Sequence, residues 1–367
     1  MSKLKFIDIC IIIMMLSSCS QTPDNIQGNN HNVDLNSENN KVSVKHILDD
    51  FDEDFETKYS KFSLPEKSKV IINQPEKVCD LQLDFLNKKK SLEWMSQKLS
   101  DLQTAFEHKI DGEIVVDETI VQIGSDNENV SVSGYSEPYS LWNFNSDVIS
   151  YVNQNVVETE VVYIDRIPEK NIDGGLKSAM NKAINYAQNV KNVMKDELDV
   201  KLATGYILHG SDDLSYEIDL QKTYKGIGIM NLPPAYVNDY TTKEGTEILT
   251  TYFETYIEFD SSLNPLFYNS CDCFTRKSEK DLHKIISLKG ACDILEKELG
   301  NNLNLQFDDM ELMYEPQEYI SSENDTIEKH IQCVPKWFFM IDYSEGIQHM
   351  LKYISVDCVT GKIEVVL

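Results

Sequence analysis

Arginine is almost missing from this chain: two occur in 367 residues, against 61 acidic side chains and a formal charge of −27. With so few cations, no basic face can be assembled to neutralise a run of phosphates, which excludes nucleic-acid binding. Anionic lipid repels such a body for the same reason. Cationic partners or loosely held Ca²⁺ are compatible with it, as is the plainer reading of a soluble acidic surface. Catalytic signatures are missing too. The seven histidines (31, 46, 108, 209, 283, 330 and 349) include no His-x-x-x-His pair of the kind a helical metal site uses. There is no Gly-x-Ser-x-Gly elbow and no Gly-rich phosphate loop. Lys225-Gly226-Ile227-Gly228 lies in a strand pattern and reads as a bulge. With 61 acids, carboxylate pairs are unavoidable and carry no weight for glycosidase chemistry. These absences predict a non-catalytic protein with no cofactor and no metal.

A long apolar run is also missing. The one near the start, Phe6 to Leu16, is about eleven residues, whereas spanning the hydrocarbon of a bilayer takes about 20. It follows Lys3 and Lys5 and ends at Leu16-Ser17-Ser18-Cys19, the three-part layout of a cleaved export signal. The Leu-Ser-Ser-Cys ending resembles the lipobox of bacterial lipoproteins. That resemblance implies that Cys19 carries diacylglycerol and becomes the new N-terminus once residues 1–18 are removed. Residues 20–45 are rich in Asn, Ser, Gln and Asp and bury too little to offset their ordering entropy. Residues 19–46 are therefore expected to act as a lipidated tether with a coil reach of about 25–30 Å. The expected location is the cell membrane, lipid-anchored on its extracytoplasmic face.

Eight cysteines occur. Cys10 leaves with the signal and Cys19 is lipidated, so Cys79, Cys271, Cys273, Cys292, Cys333 and Cys358 remain, an even set that permits disulfides without fixing their pairing. Cys271-Asp272-Cys273 lacks the two-residue gap of a zinc knuckle. Cys79, Cys292 and Cys358 fall within strand or helix patterns and read most simply as small buried hydrophobes. Cys292 with His283 or His349 can be drawn as nucleophile and base, but its apolar helix face favours burial. Asp50-x-Asp52-x-Asp54 opens like a calcium loop, yet Phe55 stands where such a loop needs Gly and Lys61 where it needs Glu.

Along the body, Phe51, Phe55, Tyr59 and Phe62 recur at helical spacing, and Leu92, Met95, Leu99, Leu102 and Phe106 mark a second helix capped by Ser91. Alternation predicts strands at 69–73, 78–85, 112–124, 128–134 and 156–166. Between the last two, Tyr135, Tyr139, Trp142 and Phe144 form an aromatic-rich loop. Tyr135, Tyr139 and Trp142 are candidates for stacking on a glycan or peptide, with corner packing the commoner cause of such a cluster.

Past residue 170 the chain repeats itself. Ile257-Glu-Phe259-Asp260-Ser-Ser-Leu-Asn264-Pro-Leu266 aligns without gaps on Ile354-Ser-Val356-Asp357-Cys-Val-Thr-Gly361-Lys-Ile363. Each is a strand, an Asp, a turn and a second strand, which is hairpin chemistry. A helix lies upstream of each: Leu176, Met180, Ala183, Ile184, Ala187, Val190 and Met194 stripe the first, and Leu288, Ala291, Cys292, Leu295 and Leu299 the second, with Ser287 as N-cap. The expected fold is α+β: an N-terminal α+β domain over 47–170, then two helix-on-antiparallel-sheet repeats over 171–279 and 280–367.

The helix Ser287-Leu288-x-x-Ala291-x-x-x-Leu295, the strand Pro335-x-Trp337-x-Phe339 and the ending Val356-Asp357-x-x-Thr360-Gly361-x-Ile363 resemble the PepSY-type module of secreted bacterial proteins. The whole chain resembles uncharacterised lipoproteins of low-GC Gram-positive bacteria that end in such modules. The match covers about 90 C-terminal residues, and about 100 more weakly, with Asn264-Pro265 replacing Thr-Gly in the first unit. The resemblance implies a non-catalytic protein that engages another exported or membrane protein. Capture of a glycan or peptide is the alternative.

Overall fold

The structure, a computed structural model, describes residues 40–49, 59–64, 74–85, 97–98, 101–102, 114–116, 120–125, 130–135, 142–146, 156–163, 171–210, 214–230, 247–248, 254–270, 274–299, 305–307, 309–323, 326–341 and 352–366. Its first strands are β1 (Lys41–Ser43), β2 (Phe62–Ser63), β3 (Val78–Phe85), β4 (Ile114–Val116) and β5 (Ile120–Ser125). Next come β6 (Val130–Tyr135), β7 (Trp142–Ser146), β8 (Val156–Tyr163) and helix α1 (Gly174–Met194). Then follow β9 (Asp199–Gly210), β10 (Leu214–Tyr224), β11 (Ile227–Ile229), β12 (Glu247–Ile248), β13 (Glu254–Asp260) and β14 (Pro265–Ser270). β15 (Phe274–Leu282) and β16 (Lys284–Ile286) lead to helix α2 (Leu288–Glu298). The chain closes with β17 (Leu305–Gln306), β18 (Asp309–Glu323), β19 (Thr326–Ile341), β20 (Lys352–Asp357) and β21 (Ile363–Val366).

Helix α1 forms where the apolar stripe predicts it. Asp173 caps it, its Oδ1 accepting from the N–H groups of Gly175 (2.8 Å) and Leu176 (3.1 Å). Leu176, Met180, Ala183, Ala187, Val190 and Met194 are buried along one face, and Lys195 ends the helix in the left-handed region at φ 60°. That face lies on β9, β10, β13 and β14, meeting Ile207, Ile218, Ile257, Phe259 and Tyr268. Helix α2 starts at its expected cap, the Ser287 hydroxyl accepting from Gly290 N–H at 3.0 Å. Leu288, Ala291, Cys292 and Leu295 pack on the inner face of β18, β19, β20 and β21. Trp337 has no exposed surface, and its indole N–H donates to the Ile286 carbonyl at 2.9 Å. The opposite face of these last strands buries Met313, Phe338 and Tyr353 together with a charged triad. In that triad Lys336 Nζ lies 2.5 Å from both Glu315 and Glu364.

Both repeated hairpins are present and turn on their aspartates. Asp260 Oδ1 accepts from Ser262 and Asn264 N–H, and Asp357 Oδ1 from Val359 and Thr360 N–H at 2.7 Å each. The turns differ by one residue: Asp260 N–H closes on the Asn264 carbonyl, Asp357 N–H on that of Lys362. The left-handed residue is Gly361 (φ 76°) in the second turn but Leu263 (φ 63°), not Asn264, in the first.

The expected architecture of an N-terminal α+β domain followed by two helix-on-sheet repeats is overturned. The protein is mostly β, with one large multi-strand sheet and two α-helices among the described residues. The sheets under α1 and α2 are not separate modules. Three-residue β11 pairs antiparallel with β10 and parallel with β18, which makes them continuous. N-terminal strands are interleaved: β3 pairs with β15 on one edge and with Ile331–Cys333 of β19 on the other, and β7 extends β14. Hydropathy periodicity reports which face of a strand is buried but not which strand lies beside it. The difference arises there.

Smaller corrections have the same origin. The expected strand over 112–124 is two strands, β4 and β5, paired with each other through Ile114 and Ile123. Trp142 and Phe144 belong to β7 and not to a loop. Phe62, expected to end a helix, lies in β2, paired parallel with β17, and its ring stacks on Tyr59 at 4.9 Å between centroids. Residues 50–58 and 69–73 lie outside the described residues. Of the helix expected from Ser91, positions 97, 98, 101 and 102 are described and helical.

Candidate functional site

A cleft of 420 Å³ opens where α1 begins. β9, with 12 residues, runs about 40 Å. The 21-residue helix is about 31 Å long and cannot cover that face even when laid along it. The uncovered end belongs to three neighbouring strands in register. Glu160 of β8 stands opposite Ile207 of β9, Ile207 opposite Tyr216 of β10, and His209 opposite Leu214. These side chains, with Val162 and the segment Asn171–Asp173, line the cleft. Tyr216 reaches under the start of α1 so closely that a Cβ at Gly175 would overlap its hydroxyl and force the ring to shift. Burial, helped by the nearby Asp173 charge, raises the Tyr216 hydroxyl above its ordinary pKa, so it stays a neutral donor and acceptor. The cleft thus presents an imidazole, a phenol and two carboxylates among apolar walls. Its volume falls within the roughly 300–1,000 Å³ of small-ligand sites. Its described lining holds no Lys, Arg, Ser or Cys.

A second cluster forms where β3 meets β15. Cys79 stands opposite Asp281, and Leu81 opposite Glu279, so the thiol lies between two carboxylates. Cys79 Sγ is 3.5 Å from each of Glu279 Oε1 and Asp281 Oδ1, and Lys225 Nζ, from the β10–β11 turn, is 3.7 Å from it. Glu279 is held by Lys225, accepts from the Tyr224 hydroxyl (2.6 Å) and pairs with Arg276 (2.7 Å). Asp281 pairs with Lys77 at 2.8 Å. Lys225, Tyr224 and Arg276 together hold Glu279 down at about 2, and burial pushes the Cys79 thiol up to about 11 even though Lys225 opposes it. Cys, Glu and Asp with ligand atoms within 4.8 Å of one another make a possible donor set for a divalent cation. The fit is poor. Three cations already face the two carboxylates, Lys225 fills the space between the donors, and the thiol is protonated.

The residues singled out from sequence are elsewhere. Cys19 and Tyr139 lie outside the described residues. Tyr135 ends β6 and Trp142 begins β7, where Trp142 stands opposite Gly134 and Ser270, while their side chains are outside the description. The described lining of the cleft does not include them. Cys79, Cys292, Cys333 and Cys358 are buried free thiols, and Cys271 and Cys273 lie outside the described residues. Among the described residues no helix is long and apolar enough to cross a membrane. His209 and Glu160 had no signal in the linear sequence. The helix cap Asp173 had one, since an Asp directly before Gly174 and the apolar stripe is an N-cap pattern.

The described residues define a class: a large, mostly antiparallel sheet with helices α1 and α2 packed on it. No family model and no curated protein matches the chain. A solved structure of an uncharacterised protein from Eubacterium rectale is similar, with a TM-score of 0.51 at 12% identity over 84% of this chain and 91% of that one. At that identity the likeness is one of fold alone.

Proposed function

We propose that this chain is a non-catalytic binding protein, tethered by lipid on Cys19 at the extracytoplasmic face of the cell membrane, that holds a segment of another exported or membrane protein. The cleft beside α1 carries the binding half of this reading: a concave, mixed polar and apolar site with two carboxylates and no cation in its described lining. Its chemistry suits a ligand with an amine or guanidinium head and an apolar body. The tether half is supported by the Leu16-Ser17-Ser18-Cys19 ending and the polar stretch after it. The PepSY-like features of 280–367 support a partner that is a protein. Capture of a free glycan or peptide is the second reading, favoured by the cleft volume of 420 Å³ and by the aromatic pair Tyr135 and Trp142 at adjoining strand ends.

Two measurements test this. The native protein, but not Cys19→Ser, should incorporate labelled fatty acid in cells, and a native protein that takes up no label refutes the lipid anchor. A photocrosslinking amino acid in place of His209, activated in living cells, should capture one dominant exported or membrane protein. Recovery of glycan or peptide fragments transfers the conclusion to ligand capture. Capture of nothing at His209, Glu160 and Leu214 in turn refutes the cleft as a binding site.

A further inference from the structure

We propose that Cys79 and Lys225 form an oxidative modification site, in which a peroxide joins their side chains through a single oxygen as a sulfur–oxygen–nitrogen bridge. The observation is the juxtaposition of a thiol and a primary amine 146 residues apart in sequence and 3.7 Å apart in space. Lys225 pairs with both Glu279 and Asp281, the two carboxylates that lie 3.5 Å from Cys79 Sγ on either side, so its Nζ is held over the sulfur.

Access is set by Lys225. Cys79 has no exposed surface, but the Lys225 side chain above it is 31% exposed and springs from a two-residue turn with φ of 50° at Lys225 and 80° at Gly226. A small oxidant can enter beside a lysine that moves, whereas a bulky thiol reagent cannot. Two peroxides are consumed. The first oxidises sulfur by two electrons, converting the S–H of Cys79 to S–OH and releasing one water. The second oxidises nitrogen by two electrons: an N–H bond of the deprotonated Lys225 amine and the O–H bond of the sulfenic acid break, the N–O bond forms, and two waters leave. The extra proton of the lysine ammonium passes to solvent. Thiols reverse the reaction by reducing the S–O bond, so the link is a switch. When closed, it ties β3 to the β10–β11 turn.

The test is a hydrogen peroxide titration of the purified full chain, read by intact mass and by peptide mapping. The expected product is about 14 Da heavier, one oxygen gained and two hydrogens lost, with the Cys79 and Lys225 peptides joined and released by dithiothreitol. Its thermal midpoint should rise. Lys225→Arg keeps the cation on an exposed turn and should abolish the joined peptides, as should Cys79→Ser. Oxidation of Cys79 that stops at about 16 Da or its multiples, with wild type and Lys225→Arg alike, overturns the proposal. So does a Cys79 left unmodified at a peroxide dose that fully oxidises a free small-molecule thiol in the same solution.

Discussion

Replacing Trp337 by alanine is the sharpest test of how the C-terminal part of the sheet is held. The indole has no exposed surface and lies among the residues that join α2 to β19 and β20. Deleting a buried Trp side chain costs about 3–5 kcal/mol through lost transfer energy and the cavity left behind. The carbonyl of Ile286 then also loses its donor, a further penalty of about 1–3 kcal/mol if no water replaces it, so the loss belongs in the upper part of that range. Trp337→Phe separates the two contributions, because it keeps most of the apolar volume and removes only the N–H, for about 1–2 kcal/mol. Urea titrations followed by far-ultraviolet circular dichroism at matched slope give both values. Set against a total of about 5–15 kcal/mol, the alanine variant should unfold at visibly lower urea. A loss under about 1 kcal/mol would refute the placement of Trp337 as the anchor of this core.

Three further outcomes follow from the geometry. Asp357→Ala and Asp260→Ala each remove backbone contacts in a tight turn and should each cost about 1–2 kcal/mol in the same titration, with Asp357→Asn recovering part; no change in either would show the turns to be held by the strands alone. Lys222→Met strands the Asp196 carboxylate, whose partner ammonium at 2.9 Å is buried with it, so a loss of about 3–5 kcal/mol is expected, and a stabilised variant would mean that the pair is not buried as described. Glu279 is held at about 2 in the folded chain against an ordinary 4.5, so its stabilising contribution is complete above pH 4.5 and disappears as the pH falls from there towards 2. Urea midpoints measured across that window should fall less steeply for Glu279→Gln than for wild type, and parallel curves would contradict the assignment.

What could be read from the sequence is what depends on neighbours along the chain. Helix α1 and helix α2, the cap of the latter at Ser287, β3, and the two aspartate hairpins all lie in local spacing, because burial of one face imposes its period on consecutive residues. The repeat itself was visible for the same reason. The joining of its two halves was not. β11 has three residues, too few for a period, and its pairing with β18 is parallel and 85 positions distant at Gly228 and Met313. The cleft was hidden likewise: His209, Glu160 and Tyr216 meet because β8, β9 and β10 are adjacent and the helix stops short. The Cys79 cluster needs residues 77–79, 224–225 and 276–281 in one place, a convergence that the register of β3 on β15 and the approach of the β10–β11 turn create together.

That register also fixes an order of events. β3 is made early in synthesis, yet its two ladders run to residues 274–282 and 331–333. A chain threaded from its N-terminus must therefore carry Val78–Phe85 unpaired until β15 follows about 190 residues later, and open on its other edge until β19 follows about 250 residues later, separations at which closure is slow and an apolar strand is open to wrong pairing. Asp80 and Asp84, the charged positions of β3, make an unpaired β3 less prone to stack on another copy while it waits. Folding of this molecule is consequently a terminal event, completed only when β19 arrives, and truncating the chain ahead of β19 should leave a soluble but unassembled product and not a smaller folded one.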